Sequence, residues 1–215
     1  MNIIKPINIS QKYKFFCWTP ERTGSTHFTT ILDKLGFQSA DLNLETKKLS
    51  NFRAGVRHNH TCNFFENHLD YKFVISMRNP YSMIISRSGI NNPGFNNYDD
   101  LTFINQFLKS RVENMMQNPF DIIGCCQCFH ERHPDYIIRL EHLYEDWIKL
   151  PFVPNHELNL SGELETLTKI RLNNSINDGG DYWKKYYDQT LADLVYYNHP
   201  DSFELFGYDK DSWKS

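Results

Sequence analysis

The chain has no marked surplus of charge. Its 215 residues carry 23 Lys and Arg against 26 Asp and Glu, a formal net charge of −3. A protein that grips nucleic acid through many phosphates needs a basic face, so that class gains little support, while a local basic site for one small anionic ligand stays open. Long apolar runs are missing too: none approaches the roughly 18 residues a membrane span needs. Met1 to Lys14 holds Lys5, Lys12 and Lys14 and no apolar leader segment, so the expected location is the cytoplasm. Cysteines are few and odd in number, 5, without the spacing of a secreted disulfide framework, and are expected to be reduced thiols. Repeats, low-complexity tracts and a domain linker are also lacking, which leaves one domain spanning 1–215.

What is present is apolar and aromatic: 40% hydrophobic and 15% aromatic residues, enough for a packed core. Tyr13 to Trp18 is an aromatic run stopped at Thr19-Pro20 and predicts a buried strand; Thr26 to Leu35 places Phe28, Ile31, Leu32 and Leu35 at helical spacing, with Gly36 as its stop. The pattern recurs. Tyr71 to Met77 reads as a strand buried on both faces, Tyr81 to Ser88 as a helix after Pro80, and Gly89 to Asn97 as a loop. Leu101 to Met116 predicts an amphipathic helix with Leu101, Ile104, Leu108, Val112 and Met115 on its core stripe. Tyr136 to Ile138 reads as a further strand and Leu143 to Leu150 as a helix ended by Pro151. Ser161 opens another helix, Asn173 to Gly180 is a turn-rich loop, and Tyr182 to Tyr197 returns to helix. Strands alternating with helices predict an α/β fold, a central parallel sheet with helices on both faces, whose ligands sit at the carboxyl ends of the strands.

Two segments lie at such ends. Arg22-Thr23-Gly24-Ser25-Thr26 combines a fixed positive charge, a glycine that lets the backbone approach an oxyanion, and hydroxyls that open a helix. It is not a Walker loop, because Ser25 stands where that loop places lysine, and this weakens a nucleotide-kinase alternative. Arg78 ends the second strand, and Ser86 follows in the next helix, in RNPYSMIISRS. The two could converge on one phosphate, with Pro80 fixing where the helix begins.

Together the two segments resemble those of the PAPS-dependent sulfotransferases, enzymes that use 3′-phosphoadenosine 5′-phosphosulfate (PAPS). Arg22, Thr23, Gly24, Ser25 and Thr26 match the family's 5′-phosphosulfate loop, in its arginine form. Arg78, Asn79, Pro80 and Ser86 match its 3′-phosphate motif. Tyr136 to Asp146 is similar to the family's late strand and acidic turn, and Tyr186-Tyr187-Asp188 with Phe203 to Tyr208 to the C-terminus of its carbohydrate branch, so the likeness runs over about 13–209. It implies a P-loop NTPase-like sulfotransferase fold. The implied activity moves a sulfuryl group from PAPS to a hydroxyl or amine of a sugar, peptide or small molecule, releasing 3′,5′-adenosine bisphosphate without a metal. Glu21 and His27 depart from the family pattern.

The resemblance gives Arg22 the leaving group, Thr23 to Thr26 the 5′-phosphate, and Arg78 with Ser86 the 3′-phosphate. The acceptor needs a base. His60 is the first candidate and His58 the second, in Val56 to Thr61, with Glu21 a competing carboxylate. Two rivals belong to other classes. One is a nucleotide-binding relative without activity. The other is a small zinc-binding interaction module built from Cys125, Cys126, Cys128, His130 and His133, with His58, His60 and Cys62 as a second cluster; the cysteines lack paired CxxC spacing.

Overall fold

The computed structural model describes residues 7–20, 24–39, 68–90, 100–116, 133–169 and 181–214. The chain gathers into two compact units, Met1–Met77 with Gly124–Ile170 and Arg78–Ile123 with Arg171–Ser215.

The first unit is built on a sheet. Ile7–Ser10 (β1) and Phe15–Trp18 (β2) pair antiparallel, and Gln38–Ser39 (β3) adds an antiparallel edge to β1. Lys72–Met77 (β4) pairs parallel to β2, and Tyr136–Arg139 (β5) parallel to β4. The order is β3-β1-β2-β4-β5. The parallel part is the part expected from sequence; β1 and β3 make the sheet mixed. The reason β1 escapes a pattern reading is chemical: Asn8 and Ser10 are buried within it, and the turn to β2 uses Lys14 at φ 58 rather than a glycine. Asp135 ties the start of β5 to β4. Its carboxylate accepts from the Phe73 amide at 2.8 Å and pairs with Lys72 at 2.7 Å.

One sheet face, Phe15, Cys17, Val74 and Ile138, packs on Ser25–Lys34 (α1) through Phe28, Ile31, Leu32 and Leu35, all fully or nearly fully buried. Leu143–Trp147 (α4) joins this core through Trp147, whose ring lies 5.8 Å from Phe28. Glu157–Leu160 (α5) and Glu163–Lys169 (α6) add Leu158 and Leu164. On the opposite face Phe16 stacks on Phe73 at 5.0 Å. Each buried apolar side chain of this kind contributes about 1.5–3 kcal/mol.

The second unit holds Pro80–Ser88 (α2), Leu101–Met116 (α3), Gln189–Asn198 (α7) and Pro200–Glu204 (α8). Ile104, Leu108 and Val112 form the core stripe of α3 as expected, but Leu101, in the first turn, is 47% exposed at a groove it lines with Tyr186 and Tyr187, and the Met115 side chain lies outside the described residues. The helix expected over Tyr182 to Tyr197 is broken. Lys184–Tyr186 is a single 3₁₀ turn, Tyr187 is extended, and α7 begins only where the Asp188 side chain accepts from the Leu191 amide at 2.7 Å. Tyr81, Trp183, Tyr187, Leu191, Val195 and Phe203 form this unit's core. Among the described residues no helix is long and apolar enough to cross a membrane.

His199, between α7 and α8, is buried, and its Nε2 has no hydrogen-bond partner among the described residues. Burial pushes its imidazole down to about 4 from the ordinary 6.5. The unfolded chain therefore takes up a proton that the fold resists. Stability is complete above the ordinary imidazole range and is lost as pH falls through it toward the depressed value. The urea midpoint of the wild type should drop from pH 7.5 to pH 5 more than that of His199→Leu. Equal drops would contradict the assignment.

Candidate functional site

The first motif sits at the turn from β2 to α1. Glu21, Arg22 and Thr23 lie outside the described residues, as do the side chains of Ser25 and Thr26. What is described is the entry itself. Gly24 caps α1 at φ 83, ψ 28, in the left-handed region, and its carbonyl accepts from the Phe28 amide at 3.0 Å. A Cβ on Gly24 would lie 2.7 Å from Leu140 Cδ1. Glycine is thus required twice, for the backbone angle and for the approach of Leu140. Among the described residues no side chain caps α1 and no acid stands in its first turn, so the positive end of its dipole faces no described carboxylate there. His27, also in this turn, is buried, its imidazole lowered by burial and its Nε2 unpartnered among the described residues.

Leu140 is held by a buried carboxylate. Asp146 is almost fully buried and accepts from the Arg139 amide at 3.0 Å, from Arg139 Nε at 2.8 Å and Nη2 at 2.9 Å, and from Lys149 Nζ at 2.6 Å. Burial alone would raise this carboxyl; the hydrogen bonds from Arg139 and Lys149 outweigh it and hold the group below the usual range. The acidic turn read from sequence is therefore a structural clamp that fixes the exit of β5.

The second motif follows β4. Asn79 caps α2: its Oδ1 accepts from the Tyr81 amide at 3.0 Å, and Pro80 occupies the first helical turn. The C-terminal segment closes on the same place. Asn79 Nδ2 donates to Ser212 Oγ at 2.9 Å and the Tyr81 hydroxyl to the Lys210 carbonyl at 2.6 Å, while the Tyr187 hydroxyl donates to the Tyr81 carbonyl at 2.8 Å. Burial first, then Asp211, Asp193 and Asp209, push the Tyr81 phenol up, so it remains a donor. Arg78 is half-buried. Its Nε donates to Ser82 Oγ at 2.5 Å, and it forms no ion pair with a carboxylate among the described residues. Ser86 is half-exposed one turn beyond Ser82, on the same face of α2.

The base candidates His60, His58 and Glu21 lie outside the described residues, and so do Cys62, Cys125, Cys126, Cys128 and His130 of the zinc alternative. No group of three or more His, Cys, Asp or Glu that could hold a metal occurs among the described residues. A groove of about 390 Å³ on the second unit, lined by Asn105, Lys109, Lys185 and the Tyr186-Tyr187-Asp188 stretch, contains no residue of the two phosphate motifs, and Lys109 is paired with Asp188 at 3.2 Å. Sequence reasoning missed Ser82, although its spacing of four from Arg78 is legible, and it missed Leu140 and the Arg139–Asp146 pair, which have no local signature. No protein-family model, no curated protein and no solved structure matches the chain.

Gly24→Ala should destabilise by about 1–2 kcal/mol or more, since an L residue is strained in the left-handed region. Adding Leu140→Ala should recover only the steric part, as read from melting temperatures; full recovery would remove the backbone argument. Asp146→Ala, which removes the carboxylate acceptor shared by Arg139 and Lys149, should cost about 1.5–3 kcal/mol, the scale of hydrogen bonds to a charged group. The folded Asp146 carboxyl lies below its unfolded value, so its contribution is present above the ordinary carboxylate range and lost as pH falls through the lower folded value. The stability deficit of Asp146→Ala against wild type should therefore shrink in acid, and a deficit constant with pH would count against the clamp.

Proposed function

We propose that the chain is a PAPS-dependent sulfotransferase of the P-loop-like fold, transferring a sulfuryl group to a hydroxyl or amine of an acceptor, with carbohydrates among the acceptor classes. The observation that carries the reading is Arg78. It is a half-buried guanidinium following β4, with its charge unspent on any carboxylate among the described residues. The acid-free start of α1, entered through Gly24 at the end of the neighbouring parallel strand β2, adds weight. Helix N-termini at carboxyl strand ends are where an α/β fold takes phosphate.

In this reading the bond between sulfur and the bridging phosphate oxygen of PAPS breaks as the acceptor oxygen or nitrogen attacks in line. The acceptor proton passes to a base, and 3′,5′-adenosine bisphosphate leaves. Arg22 stabilises charge on the departing oxygen, the amides that open α1 hold the 5′-phosphate, and Arg78 with Ser86 holds the 3′-phosphate. The work is positioning and charge stabilisation, as in phosphoryl transfer. His60 is the proposed base, with His58 and Glu21 as alternatives.

Two experiments test this. 3′,5′-Adenosine bisphosphate should raise the melting temperature well beyond AMP or ATP; equal shifts for AMP and the bisphosphate would remove the 3′-phosphate site. In an acceptor screen with radiolabelled PAPS, Arg22→Ala should lose about a hundred-fold in turnover and His60→Ala between about a hundred- and ten-thousand-fold, with His58→Ala losing less. Wild-type turnover in Arg22→Ala, or a dead Glu21→Gln beside active histidine variants, would overturn the corresponding role.

A further inference from the structure

Arginine can present an oxyanion with two edges: the side formed by Nε and one Nη, or the end formed by both Nη groups. Which edge is available depends on what already holds Nε. In this chain Arg78 Nε donates to Ser82 Oγ at 2.5 Å, and Ser82 is 2% exposed in the first turn of α2. That turn is fixed from both sides, by the Asn79 cap within and by the bonds of Asn79 and Tyr81 to Ser212 and Lys210. The acceptor for Nε therefore sits on a helix start that has little freedom to shift.

We propose that Ser82 is the positioning residue of the phosphate-recognition arginine: it occupies Nε, so that Arg78 meets a terminal phosphate end-on, through its two Nη groups. The inference rests on the reading of Arg78 as the 3′-phosphate group. Three consequences follow from the arrangement. The guanidinium loses its swivel about the last side-chain torsions, so less freedom is given up on binding. The side-on edge is closed, which restricts the plane in which a phosphate can approach. And Ser82, at i+4 from Arg78, places Ser86 one further turn along the same helix face, about 6 Å on, where its hydroxyl can meet the same anion.

The test compares affinities of the full chain for 3′,5′-adenosine bisphosphate and 5′-AMP by calorimetry. Their ratio isolates the 3′-phosphate. Ser82→Cys keeps nearly the same volume but offers only a weak acceptor. It should lower the ratio about tenfold, the scale of one charge-assisted hydrogen bond, whereas Ser82→Thr should retain it. In wild type the Arg78 Nε–H proton should exchange slowly with water in nitrogen-detected NMR, and it should quicken in Ser82→Cys. An unchanged ratio in Ser82→Cys, with wild type still preferring the bisphosphate, overturns the role of Ser82 and leaves the phosphate reading standing. A wild type without any preference overturns both. If Ser82→Cys fails to fold, a rapidly exchanging Nε–H in the bisphosphate-bound wild type overturns the positioning role by itself.

Discussion

The buried carboxylate of Asp146 sets the geometry on which the entry to α1 depends. An isolated charge could not sit at this depth; it does so because a backbone amide, a guanidinium and an ammonium all donate to it. Such a pair is weak evidence of stability, since apolar packing of similar volume can do as well. Its effect is placement. It turns the chain sharply after β5 and delivers Leu140 against Gly24, so the shape of the α1 entry is dictated from a segment more than a hundred residues away in sequence.

The second unit solves the same problem with neutral groups. Its helix start is held by an amide cap, two phenol hydroxyls and a serine from the C-terminal segment. The phenols are buried, and burial raises them, so neither gives up its proton near neutrality. The two helix entries are thus fixed by different chemistry, one ionic and one by neutral hydrogen bonds.

How much of this is legible in the sequence follows from the range of the forces involved. β2, β4, α1, α2 and α3 announce themselves because their patterns are local: aromatic and β-branched runs closed by proline, or apolar residues at helical spacing. Gly24 and Asn79-Pro80 are legible for the same reason, as turn and cap chemistry. The hairpin partner β1 is not, because its buried residues include Asn8 and Ser10 and its turn carries no glycine signal. The break before α7 is not legible either, because Asp188 competes as a cap against a continuous apolar pattern. Leu140 and the Arg139–Asp146 clamp depend on contacts that local patterning does not encode. At the candidate site Arg78 is legible and Ser82 is not, since a serine inside a helix advertises nothing until its partner is known.

Cys17 lies on β2, the strand that joins the antiparallel and parallel halves of the sheet, and it is fully buried with its thiol pushed up by the same burial. A closed sheet therefore presents neither access nor thiolate to an alkylating reagent. Modification requires an opening that lifts the helical layer, α1 foremost, from the face on which Cys17 lies. The labelling rate of this one sulfur, set against that of an unstructured thiol, would measure the free energy of parting that layer from the sheet, the local counterpart of an amide-exchange protection factor.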